Sequence, residues 1–133
     1  MILLKYQETI KFIKTLIMLT ESNTLIWHSN LISDKLRYQT SIPNTNMEVI
    51  IYNPYSTPDI FVRTQSGIRQ LRLVESVQTY DKCNHITVTA EEIAIDLGVA
   101  VLNQIYNMEI QQIDTQIKNY IKLFNLWIFL ILQ

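Results

Sequence analysis

Residues 47–74 read MEVIIYNPYSTPDIFVRTQSGIRQLRLV, and this stretch decides the fold class. Its first six residues are rich in β-branched and aromatic side chains and form a short run, the signature of a strand. Asn53-Pro54 ends that run, because proline lacks the N–H a ladder needs and restricts the residue before it. Pro58 closes the loop, and residues 60–64, IFVRT, are the next expected strand. Gln65-Ser66-Gly67 has hairpin chemistry, with Gly67 free to take positive φ. Residues 71–74, LRLV, are expected to return as a strand, with Leu71 and Leu73 on one face and Gln70 and Arg72 on the other.

Outward from this core, both flanks read as helix. Residues 3–20 place Leu3, Tyr6, Ile10, Ile13 and Ile17 on one stripe at helical spacing, with Phe12, Leu16 and Leu19 widening it. Glu21-Ser22-Asn23 is a stop signal. Residues 24–27, TLIW, are expected to form a short strand and residues 30–35 a loop. Residues 36–42 alternate Leu36, Tyr38, Thr40 and Ile42 with Arg37, Gln39 and Ser41, a half-buried strand. Pro43-Asn44-Thr45-Asn46 is a turn. Residues 75–84 either extend the last strand or form a surface loop. Thr89-Ala90-Glu91-Glu92 matches a helix capping box. Ile93, Leu97, Val101, Ile105 and Met108 then share one stripe, and no glycine follows Gly98 and no proline follows Pro58. The expectation is therefore an α+β fold: an antiparallel meander of four to five strands, with an N-terminal helix and a long C-terminal helix covering one face. Residues 1–109 would form the domain. Residues 110–133 would be an apolar helical extension, continuous with the helix before it.

Composition narrows the class without naming an activity. The chain has 133 residues, enough for one domain, and 48% are hydrophobic, enough for a core. A net charge of −1 gives no global attraction to nucleic acid or anionic lipid. The single cysteine, Cys83, excludes an internal disulfide and fits a reducing, cytoplasmic setting. Lys5, Glu8, Lys11 and Lys14 interrupt the N-terminal apolar residues, unlike a signal peptide.

The layout has a familiar outline. Residues 20–27 with Trp27, residues 38–42 (YQTSI), the strands at 47–52 and 60–67 and the helix at 91–101 resemble a loose group of small, mostly uncharacterised bacterial proteins built as helix, β-meander, helix. The resemblance covers about two thirds of the chain, implies the fold and carries no activity or site residue. The extension beyond Met108 departs from it.

Chemistry-bearing residues are few. Asp81, Cys83 and His85 form D-x-C-x-H, and His28 is the other histidine. A metal site wants three or four such ligands converging, usually at CxxC or HxxxH spacing, so an ordinary loop is the commoner reading. A Cys83 nucleophile with a His85 base lacks an orienting group and an oxyanion hole. No phosphate-binding, dinucleotide, zinc-protease or nucleophile-elbow motif occurs. No cofactor is expected, and the chain reads as not an enzyme. Arg37, Arg63 and Arg72 have opposite parity to the apolar residues of their strands. They would sit on the open sheet face with Gln39 and Gln70, a phosphate-binding surface for nucleic acid, with Phe61 able to add base stacking. A solvated polar face with Glu48 and Glu75 nearby explains the pattern more simply, and nucleic acid is not the expected partner.

The C-terminal segment carries the most specific pattern. Ile110, Ile113, Ile117, Tyr120, Phe124, Trp127 and Ile131 step by alternating threes and fours, an a/d seam over about three heptads. It either packs inside the chain against the helix of residues 3–19 or binds a second copy or another protein. From Leu123 to Leu132 the sequence is apolar all round except at Asn125. Such a helix is buried in protein or lipid. Ten residues rise about 15 Å, half of the ~30 Å hydrocarbon thickness. The run is then buried or oligomeric, inserted shallowly in a membrane, or part of a longer membrane segment. The expected function is a non-catalytic interaction protein, self-associating through the seam, with peripheral membrane association or nucleic-acid binding on the sheet as alternatives.

Overall fold

The structure, a computed structural model, describes residues 6–73 and 89–132. The order of elements is α1 (Tyr6–Glu21), β1 (His28–Ile32), β2 (Lys35–Ser41), β3 (Glu48–Tyr52), β4 (Asp59–Thr64), β5 (Gly67–Gln70) and α2 (Ala90–Leu132). The five strands form one antiparallel meander, β1-β2-β3-β4-β5, so the fold is α+β as the sequence leads one to expect. In register, Tyr38 faces Ile51, Thr40 faces Val49, and Ile51 faces Ile60. These side chains share one face of the sheet and are buried with Ile13, Leu16, Leu25, Trp27, Ile93, Leu97 and Val101. The two helices therefore cover one face and leave the other open.

Three local expectations are corrected. Residues 24–27 are not a strand. Leu25 and Trp27 are buried, but their backbone is tied by side chains and, at the Leu25 N–H, by the Leu19 carbonyl at 3.0 Å rather than by a ladder. The first strand is His28–Ile32, overlapping the loop expected at 30–35. It turns at Ser33-Asp34, both at positive φ, into β2. Two successive positive-φ residues make the tight connection that matches strand twist, here without the usual glycine. The last strand is Gly67–Gln70 rather than residues 71–74, because the connection is only Gln65-Ser66 and Gly67 already pairs with Thr64. Gly67 does take positive φ, at 131°. Leu71 continues the pairing through its N–H to the Ile60 carbonyl at 2.8 Å.

The buried line of α1 is Thr9, Ile13, Leu16 and Thr20, one position round from the stripe of Tyr6, Ile10, Ile13 and Ile17. The rotation brings the Thr20 hydroxyl inward, where it accepts from the Trp27 indole N–H at 2.9 Å and donates to the Leu16 carbonyl at 2.7 Å. The start of α2 is capped as the sequence implies: the Thr89 hydroxyl accepts from the Glu92 N–H at 3.3 Å. The Tyr6 hydroxyl accepts from the Ala90 N–H at 2.8 Å and ties the start of one helix to the start of the other.

Candidate interaction surface

The α2 helix has two parts with different surroundings. From Ala90 to Gln104 it presents Ala90, Ile93, Ala94, Leu97, Val101 and Gln104 to the core. From Tyr106 to its end every described residue is exposed. These ~27 residues extend about 40 Å at ~1.5 Å per residue. The seam lies on this projecting arm. Ile110, at 37% exposure, lines an open groove with Ile17 and Asn107 where α1 ends. Beyond it Ile113, Ile117, Tyr120, Phe124, Trp127 and Ile131 are all exposed, Tyr120 at 68%. The alternative in which the seam packs against α1, or the tail lies under the sheet, is thus overturned: α1 is shorter than α2 and is already occupied by residues 90–104. Tyr120 and Phe124 stack on each other, centroids 6.4 Å apart, without covering either ring. Among the described residues, no helix is long and apolar enough to cross a membrane.

The arm is anchored by a residue that the hydrophobic pattern does not single out. Gln104 is buried on the same line as Leu97 and Val101. Its Oε1 accepts from the Trp27 backbone N–H at 2.9 Å. Its Nε2 donates to the Leu25 carbonyl at 2.7 Å and the Thr20 carbonyl at 3.0 Å, with Asn23 Oδ1 at 3.3 Å. One amide thus closes the C-terminal end of α1 and fixes the link into β1. The signal was present: a lone glutamine on an apolar helix stripe needs buried partners. The Thr40 hydroxyl completes the link by donating to the Ile26 carbonyl at 2.8 Å.

Tyr38 also escaped the sequence reading except as a core residue. Its hydroxyl is pushed up from the ordinary 10.0 to about 12, chiefly by burial, then by the hydrogen bond and charge of Tyr55 and the charge of Glu109. The folded protein keeps this proton when the unfolded chain releases it. The contribution is complete below about pH 10 and is lost as pH rises from about 10 towards 12. Urea midpoints should fall over that window, with a slope of up to about 1.4 kcal/mol per pH unit for this group. The Tyr38→Phe variant should show a shallower fall; an identical profile would remove Tyr38 as the cause.

The open sheet face carries Arg37, Gln39, Glu48, Tyr52, Phe61 and Arg63 in register, and Arg72 is exposed beyond β5. Arg37 and Arg63 lie opposite the core side chains of their strands, whereas Arg72 belongs to no strand. Their charge is partly spoken for: Arg63 Nη1 donates to Glu48 Oε2 at 3.0 Å, and Gln39 Nε2 donates to the same oxygen at 2.7 Å. Phe61 meets Tyr52 edge-to-face, centroids 5.7 Å apart. His28 is exposed on β1. Asp81, Cys83 and His85 lie outside the described residues. Among the described residues no three of His, Cys, Asp or Glu group in a way that could hold a metal ion.

Compared with family models, with characterised proteins and with solved structures, the chain matches none.

Proposed function

We propose that this chain is a non-catalytic interaction protein that self-associates through the projecting part of α2. The observation that carries the reading is the exposed seam of Ile110, Ile113, Ile117 and Tyr120, continued by Phe124, Trp127 and Ile131. Large apolar side chains at heptad spacing on a helix that has left its own domain are the geometry by which two helices bury each other. Each such side chain contributes roughly 1.5–3 kcal/mol when fully buried. A dimer counts the row twice, which offsets the ~4–15 kcal/mol lost in association.

Sedimentation across a concentration series tests it. The chain is expected to form a discrete dimer or small oligomer. Ile113→Glu, which places a carboxylate in the seam of every copy, should weaken association at least about a hundredfold, the equivalent of ~2.7 kcal/mol. Circular dichroism should stay that of the parent, because Ile113 supports nothing in its own domain. A parent chain that sediments as a monomer at high concentration would sink the reading. So would a variant that associates as the parent does.

The nucleic-acid reading of the sheet face is less favoured, because Glu48 engages both Arg63 and Gln39.

A further inference from the structure

The seam does not account for the whole arm. On a helix, residues 100° apart per step place Phe124, Trp127 and Ile131 on one side and Leu126 and Phe129 on the opposite side. All five are exposed in the chain. A two-helix seam covers one stripe, so a second copy leaves Leu126 and Phe129 in water. The same outer line, followed back towards the domain, carries Lys122 and Lys118. No acidic residue follows Asp114. The outer face thus reads two cations and then only apolar groups, with Asn125 the one polar residue of 123–132.

We propose that residues 123–132 enter the outer hydrocarbon of an anionic lipid surface end-on, with Lys118 and Lys122 at the phosphate level. Three features choose lipid as the occupant. It covers an all-round apolar helix, which a seam does not. The ten residues rise about 15 Å, which matches one leaflet of a ~30 Å hydrocarbon layer. The lysines stand one turn apart just before the inserted residues, where their stems reach along the helix and their heads stay with the headgroups. Trp127 falls within the inserted segment. The inserted segment shares Phe124, Trp127 and Ile131 with the seam, but the inference is carried by Lys118, Lys122, Leu126 and Phe129, which the seam does not use, and it does not rest on self-association.

Flotation of the full chain with vesicles tests it, since aggregates sink and only bound protein rises. The chain should float with phosphatidylcholine vesicles containing phosphatidylglycerol and bind pure phosphatidylcholine about thirtyfold more weakly, the effect of two lysines at ~1 kcal/mol each. The doubly substituted Lys118→Gln, Lys122→Gln chain should lose that preference. Tryptophan emission should shift blue with the anionic vesicles: Trp27, at 1% exposure, is already dry, so Trp127 reports the change. Leu126→Glu with Phe129→Glu should abolish flotation while the oligomeric state in solution stays that of the parent. Failure to float with either vesicle overturns the proposal. Equal binding to both does so as well, and so does unchanged flotation of the Leu126→Glu, Phe129→Glu chain. A parent chain that floats yet is monomeric in solution overturns self-association and leaves this inference standing.

Discussion

Replacing Gln104 by methionine is expected to cost about 2–6 kcal/mol, a large share of the usual ~5–15 kcal/mol of a domain's stability. Methionine keeps the volume and the flexible stem and removes only the amide. The Trp27 N–H then loses its acceptor and the Leu25 carbonyl its donor, while the Thr20 carbonyl keeps the Asn23 N–H at 3.1 Å. Each buried group left unsatisfied costs roughly 1–3 kcal/mol. Gln104→Glu is the informative companion. Protonated, it can accept from Trp27 and donate to Leu25; ionised, it aims a carboxylate at two carbonyls. Its folded-state pKa should lie above the unfolded value of about 4.3. Stability should therefore be greatest below about pH 4 and fall as pH rises towards neutrality. Urea denaturation at pH 4 and 7 checks both, and a methionine variant within ~1 kcal/mol of the parent would show that these bonds are not what holds the link.

Gly98→Val is expected to destabilise the protein by at least about 3 kcal/mol, the upper end of the overpacking range. A Cβ at this position would lie 2.7 Å from the Pro54 carbonyl oxygen and 3.3 Å from both Pro54 Cα and Pro58 Cγ. The obstacle is backbone, in the loop between β3 and β4, and cannot swing aside. Ala should be milder, because about 1 kcal/mol of better helix propensity offsets part of the clash. The order Gly98, Ala, Val in thermal midpoint is the readout. Alanine at or above the parent's midpoint would mean that the loop yields, and that the close approach is not a constraint.

The same contact illustrates what was legible in advance. Asn53-Pro54 and Pro58 were readable as the break between strands because proline chemistry is local. That the two prolines are buried against Gly98 is a tertiary fact, and no periodicity encodes it. The strands at 48–52 and 59–64 were legible because one face is buried and the residues are β-branched. The strand His28–Ile32 was not: it is an edge strand, all of it exposed, so its polar residues carry no alternation. Its turn uses Ser33-Asp34, a weaker signal than Asn-Gly. Residues 24–27 misled for the converse reason. Leu25 and Trp27 are buried, but Gln104 and Thr40 hold the segment in place of a neighbouring strand. The seam was visible from spacing alone, whereas its exposure followed only from the lengths of the two helices.

From Val99 to Leu132, α2 contains neither glycine nor proline, and such a helix bends only gently. It therefore behaves as a strut. Whatever is gripped at its far end is held some 40 Å from the sheet at ~1.5 Å per residue, a standoff set by residue count. Inserting or deleting seven residues in 106–122 would change that clearance by about 10.5 Å while turning the tip by only about 20°.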